Sequence, residues 1–178
     1  MGAIKVHEFI SLDGVAENPA WTAEYGFDPK MGEAIGGMMA PGTEILLGRK
    51  TYEMFEPAWS TRTAEQDPGA PFFNDTTKHV VTSTLTDLTW RNSTVAGPYD
   101  AGTLRTLKAS VPSLYVSGSL TLVRALLADG LVDELHLFTY PVVLGSGLRL
   151  FGDEGVKLTL IESEAYANGV IHLAYGSA

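Results

Sequence analysis

Cysteine is absent from the sequence, which removes disulfides, thiolate nucleophiles and zinc–thiolate clusters together. Basic residues are few: 12 Lys and Arg stand against 21 Asp and Glu, for a net charge of −9. A field of that sign repels nucleic acid and anionic membrane surfaces, so neither is expected as a partner. No apolar run approaches the ~20 residues that span a bilayer. No charged-then-apolar leader is visible, which makes the cytoplasm the expected compartment. No repeat, linker or low-complexity stretch interrupts the 178 residues, a length suited to a single domain over residues 1–178. The four histidines, His7, His79, His136 and His172, are widely separated. They read as surface or hydrogen-bonded sheet residues, so no metal is expected.

What the chain does have is an alternation of strand and helix signals. Ile4–Ser11 reads as a buried strand closed by Leu12-Asp13-Gly14, and Asp28-Pro29 opens a helix through Met39. A strand at Glu44–Leu47 runs into a helix over about Arg49–Glu56 that Pro57 is expected to stop, and residues 58–77 read as a long loop. Short strands follow at His79–Thr82 and Thr94–Ala96, then a helix at Ala101–Ala109, a strand at Leu114–Ser117 and a helix at Leu120–Ala128 ended by Gly130. Glu134–Val143, Lys157–Ala165 and Val170–Tyr175 read as strands, the last two joined by a hairpin at Asn168-Gly169. The expected class is therefore α/β, with helices on both faces of a mostly parallel sheet and an antiparallel C-terminal hairpin.

Two strand-to-helix junctions stand out, Leu47-Gly48-Arg49-Lys50-Thr51 and Val116-Ser117-Gly118-Ser119-Leu120. Each joins a glycine, which lets a ligand approach the backbone, to hydroxyls and to the open amides of a helix start. Arg49 and Lys50 add positive charge where the global field is negative, and arginine can grip a phosphate through two parallel hydrogen bonds. The same features also serve as ordinary turns and caps. Neither junction is a Rossmann fingerprint or a Walker loop.

In order along the chain, VHEFISLDGVAE (6–17), LLGRKTYE (46–53), HVVTSTL (79–85) and LYVSGSLTLVRALLADGLVDELHLFTYPVVLGSGLRLF (114–151) resemble the dihydrofolate reductase-like fold. The similarity is to the branch related to the reductase domain of riboflavin-biosynthesis proteins. The resemblance implies NADPH binding and hydride transfer to a small heterocycle or similar conjugated acceptor. It implies that Gly48, Arg49 and Thr51 lie by the cofactor phosphates, that Ser83 and Thr84 lie near the adenosine side, and that Gly118 starts the second phosphate-binding helix; Lys50, Thr82, Ser119, Leu120 and Thr121, beside them in the chain, complete the candidate cofactor-binding set. It also implies a homodimer. The family often carries consecutive glycines where this chain has Gly118-Ser119, and the deaminase signature of the complete bifunctional riboflavin enzyme is missing.

Hydride delivery to a C=N bond needs a proton, which a partly buried carboxylic acid can supply. Asp13, at the strand exit, and Asp28, at the helix start, rank first as catalytic candidates, ahead of Glu17 and Glu33, although for either residue alone a turn role for Asp13 and a cap role for Asp28 outweigh catalysis. Trp21, Tyr25 and Phe27 are candidate walls for a planar substrate, or ordinary core. A catalytically inactive nucleotide- or small-molecule-binding protein on the same fold remains the alternative.

Overall fold

Successive residues of a strand face opposite sides of a sheet, and in this protein that alternation divides the core in two. In strand β1 (Ala3–Ser11) of the computed structural model, Ile4, Val6 and Ile10 belong to one buried cluster with Val116, Leu122, Val123 and Leu126. Phe9 faces the other way and packs against a cluster containing Met31, Tyr115, Phe138 and Tyr140. The structure describes residues 2–153 and 155–178.

Strand β1 lies inside an eight-stranded sheet with β2 (Thr43–Gly48), β3 (Lys78–Val81), β4 (Ser93–Gly97), β5 (Ser113–Ser117), β6 (Glu134–Tyr140), β7 (Leu158–Ala165) and β8 (Ile171–Ser177). The order is β4-β3-β2-β5-β1-β6-β8-β7. Pairing is parallel from β4 to β6 and antiparallel across β6-β8 and β8-β7. Helices α4 (Ala101–Ser110) and α5 (Leu120–Ala128) cover the first cluster. A 3-10 helix (Pro19–Tyr25), α1 (Pro29–Met38), α2 (Arg49–Trp59) and α3 (Ala70–Asp75) cover the second. This is the three-layer, mostly parallel architecture with a C-terminal hairpin, turned at Gly169 with φ +86°.

Three local expectations need correction. Helix α2 does not stop at Pro57 but runs to Trp59; the proline falls in the last turn, and Trp59 is held by stacking on Phe73 at 4.2 Å. Residues 58–77 are not a bare loop, because Phe72 and Phe73 seat α3 against Tyr115. Strand β6 ends at Tyr140 because Pro141 has no N–H to continue the ladder. Lys78, the first residue of β3, is fully buried and donates to the carbonyls of Phe73 and Thr76, both at 2.8 Å.

Candidate active site

Strands β1 and β5 pair in register from Ala3–Ser113 to His7–Ser117. Beyond that last pair β5 turns through Gly118 into α5, whereas β1 continues to Ser11 alongside β6. The parting of the two strands opens a cavity of about 1270 Å³. Open α/β sheets bind ligands at such a point, where the connections leave a central pair in opposite directions.

Two helices begin at this cleft. Helix α2 starts directly after Gly48 and α5 directly after Ser119, and neither cap residue covers the first-turn amides with its side chain. The open N–H groups and the positive ends of both helix dipoles suit an anion. The junctions are tied together: Gly48 N–H donates to Ser119 Oγ at 2.9 Å, and Ser119 N–H donates to Thr51 Oγ1 at 2.8 Å. To make that tie, Gly118 and Ser119 adopt left-handed conformations in succession, with φ +64° and +58°. A Cβ on Gly118 would stand 3.4 Å from Thr51. Arg49 and Lys50 are exposed on the first turn of α2, with Arg49 loosely paired to Glu53 at 3.7 Å. After β3, the buried Thr82 hydroxyl accepts the amides of Thr84 and Leu85, leaving Ser83 and Thr84 exposed at the rim. Gly48, Arg49, Lys50, Thr51, Thr82, Ser83, Thr84, Gly118, Ser119, Leu120 and Thr121 all line the one cavity.

A family model described as the RibD C-terminal domain matches residues 3–172. The chain belongs to the RibD C-terminal domain family. Its fold is shared by a putative riboflavin biosynthesis protein from Shewanella sp. PV-4, with a TM-score of 0.80 at 20% identity over 100% of this chain and 99% of that one. It is shared too by a Thermotoga maritima protein, a diaminohydroxyphosphoribosylaminopyrimidine deaminase/5-amino-6-(5-phosphoribosylamino)uracil reductase, with a TM-score of 0.69 at 13% identity over 99% of this chain and 57% of that one. YyaP of Bacillus subtilis (strain 168) is 33% identical over 64 residues, and that match spans only 34% of the relative's length.

Within this RibD C-terminal domain the carboxylates fall in unexpected places. Asp13 does not line the cavity. Its carboxylate accepts from Ser11 Oγ at 2.6 Å, Leu144 N at 3.1 Å and Gly145 N at 2.8 Å. Those bonds, led by the Ser11 hydroxyl, hold its pKa down at about 2. A group so firmly ionised latches the loop after β6 to the exit of β1; it is not poised to give up a proton. Asp28 caps α1, accepting from Lys30 N at 2.9 Å and Ala167 N at 3.2 Å, and also lies outside the wall. Glu33 faces a separate cleft beside β6 and β8. Glu17 reaches the cavity but accepts from Leu148 N at 3.0 Å.

One carboxyl group on the cavity wall lies outside the expected set: Glu8. It is 3% exposed, lines the cavity, and has Oε1 buried without a partner. Burial pushes its pKa well above the ordinary carboxyl value, which favours the protonated form. The available signal was a carboxylate in the inward-facing series Ile4, Val6, Glu8, Ile10 of an otherwise buried strand.

The aromatic candidates divide. Phe27 lines the cavity and is 61% exposed. Trp21 and Tyr25 do not line it; both pack edge-on against Tyr140, each at 5.4 Å. The four histidines stand in strands with hydrogen-bond partners, the second of the two readings expected of them. His136 Nδ1 and His172 Nε2 lie 3.0 Å apart, and buried His7 enters the cavity wall. Among the described residues no His, Asp and Glu group is arranged to hold a metal ion, and no helix is long and apolar enough to cross a membrane.

Proposed function

We propose that this protein is an NADPH-dependent reductase that delivers hydride to a small planar acceptor of the pterin or aminopyrimidinone type. The observation that carries the reading is the meeting of two uncapped helix starts, with Arg49, Lys50, Thr51 and the rim hydroxyls of Ser83 and Thr84, around one cavity. The donor set fits the cofactor: amides and dipole ends for a pyrophosphate, guanidinium and ammonium for a further phosphate, and a glycine at 118 where a side chain would crowd Thr51. Family membership supports the same reading, since the Thermotoga relative is a reductase.

When bound, the cofactor supplies the hydride. The chain's own part is to orient both reactants, exclude water and provide the proton. Gly48, Gly118 and the first turns of α2 and α5 hold the anionic end. Phe27, Ile35, Met39 and Phe55 enclose the acceptor in an apolar chamber. Glu8 lines the cavity, has one oxygen without a partner and is biased by burial towards its protonated form, which makes it the acid of choice for a nitrogen or oxygen that gains charge as hydride arrives.

Titration with NADPH and NADH, followed by NADPH oxidation across pterins and aminopyrimidinones, tests the proposal. The expected result is preference for NADPH and turnover with at least one acceptor. NADPH binding without oxidation of any of them replaces the reductase with a binding protein on the same fold, and absence of NADPH binding overturns both.

A further inference from the structure

His7 lines the same cavity, and the reductase reading leaves it unused. His7 forms the last matched pair of β1 and β5 with Ser117, at the point where the strands part. Its ring is fixed on three sides. Nδ1 lies 3.0 Å from the Tyr115 hydroxyl, and the rings of Phe9 and Phe138 meet it edge-on at 4.7 and 5.2 Å. The other nitrogen, Nε2, is buried with no partner in the protein, yet the residue lines the cavity and is only 4% exposed. A fixed ring with one unmatched nitrogen beside a cavity is a hydrogen-bonding group lacking its counterpart.

The charge of that counterpart follows from the surroundings. Burial, reinforced by His136 and His172, lowers the His7 pKa to about 3, so the imidazole is neutral and offers a hydrogen bond without an ion pair. Phe27, Ile35, Met39 and Phe55 give the cavity apolar lining, and Gly36 on α1 leaves open space where a Cβ would stand. Among the described residues lining the cavity, the lysine and arginine groups are Arg49 and Lys50, both on the first turn of α2. Of the acidic side chains there, Glu17 and Asp67 oppose a second anion, and Glu8, biased by burial towards its neutral form, offers it no counter-charge.

We infer that the chamber takes a planar, uncharged, non-phosphorylated acceptor whose carbonyl or ring nitrogen meets His7 Nε2. The inference rests on the reductase reading, in which the cofactor occupies the cations of α2. It distinguishes this chain from its Thermotoga relative, whose reductase activity is on a phosphoribosylamino-uracil. Tyr115 is the positioning residue: its hydroxyl orients the imidazole from the far side.

Calorimetry on NADPH-saturated protein decides it. The probes are an aminouracil bearing a polyol side chain, with and without a terminal phosphate. The unphosphorylated probe is expected to bind at least about tenfold more tightly. His7→Phe is expected to weaken that probe by about tenfold while leaving NADPH affinity unchanged. Tyr115→Phe, which frees the ring without removing it, gives a smaller loss of the same kind and serves where His7→Phe does not fold. A preference for the phosphorylated probe, binding of neither probe, or full affinity in a folded His7→Phe protein overturns the inference while the reductase reading stands. Absence of NADPH binding, measured first, removes both.

Discussion

The Ser119 hydroxyl accepts the backbone N–H of Gly48 at 2.9 Å across 71 positions of sequence. The Ser119 amide returns the connection by donating to Thr51 Oγ1. This reciprocal tie holds the starts of α2 and α5 at a fixed separation, which lets two helix ends act on one ligand. Thr51→Val keeps the shape of the buried side chain but leaves the Ser119 amide without its acceptor. The expected cost is about 1–3 kcal/mol, read by urea denaturation, with weaker NADPH binding. Unchanged stability together with unchanged affinity would show that the tie is incidental.

Gly118 sits at φ +64° with Thr51 3.4 Å from where a Cβ would stand. A branched side chain is strained there by about 1–3 kcal/mol and occupies the approach to the α5 amides. Gly118→Val is expected to abolish NADPH binding in a protein that still shows native circular dichroism. A folded variant with parental affinity would reduce the turn to a structural role.

Arg49 is the residue expected to distinguish the two nicotinamide cofactors. Arg49→Ala should weaken NADPH about ten- to a hundredfold, the scale of a charge-assisted phosphate contact, and leave NADH nearly unaffected. Equal losses for both cofactors would assign Arg49 to the shared pyrophosphate instead.

Glu8→Gln removes the acid while preserving shape. Turnover should fall about 10²-fold with NADPH affinity retained. The working group is the protonated carboxyl, so parental turnover should decline as pH rises through the raised Glu8 pKa. The variant should lose that alkaline limb. A parental rate in Glu8→Gln would exclude Glu8 as the donor.

Acid stability should reveal His7 and Asp13 in different pH ranges. The His7 pKa is about 3 in the folded protein against 6.5 ordinarily. The unfolded chain therefore binds the extra proton, and stability is lost as pH falls from about 6.5 towards 3. Asp13 moves from 3.8 to about 2, so its contribution is present above about pH 4 and lost below it. Denaturation midpoints measured down the acid range should flatten in the upper part for His7→Phe and in the lower part for Asp13→Asn. Asp13→Asn should also lower the melting temperature at neutral pH, because an amide NH₂ cannot accept from Leu144 or Gly145. Parallel midpoint curves for the parent and both variants would remove these assignments.

Local chemistry made much of this protein legible in its sequence. Strand periodicity, the Gly48 and Gly118 junctions and the Asn168-Gly169 turn depend on neighbours a few residues away, so the α/β class and the phosphate-site candidates could be read directly. The acid, the chamber walls and the histidine cluster could not. Asp13 looked available because Leu144 and Gly145, which occupy it, arrive from 131 and 132 positions downstream. Glu8 was no candidate in the sequence, because only its burial in the folded sheet raises its pKa. Trp21 and Tyr25 were drawn to Tyr140, away from the ligand space. Pro57 failed to end its helix because Trp59 gained a stacking partner in Phe73. Backbone preference is encoded locally, but a side chain's charge state and availability depend on what the tertiary fold packs against it.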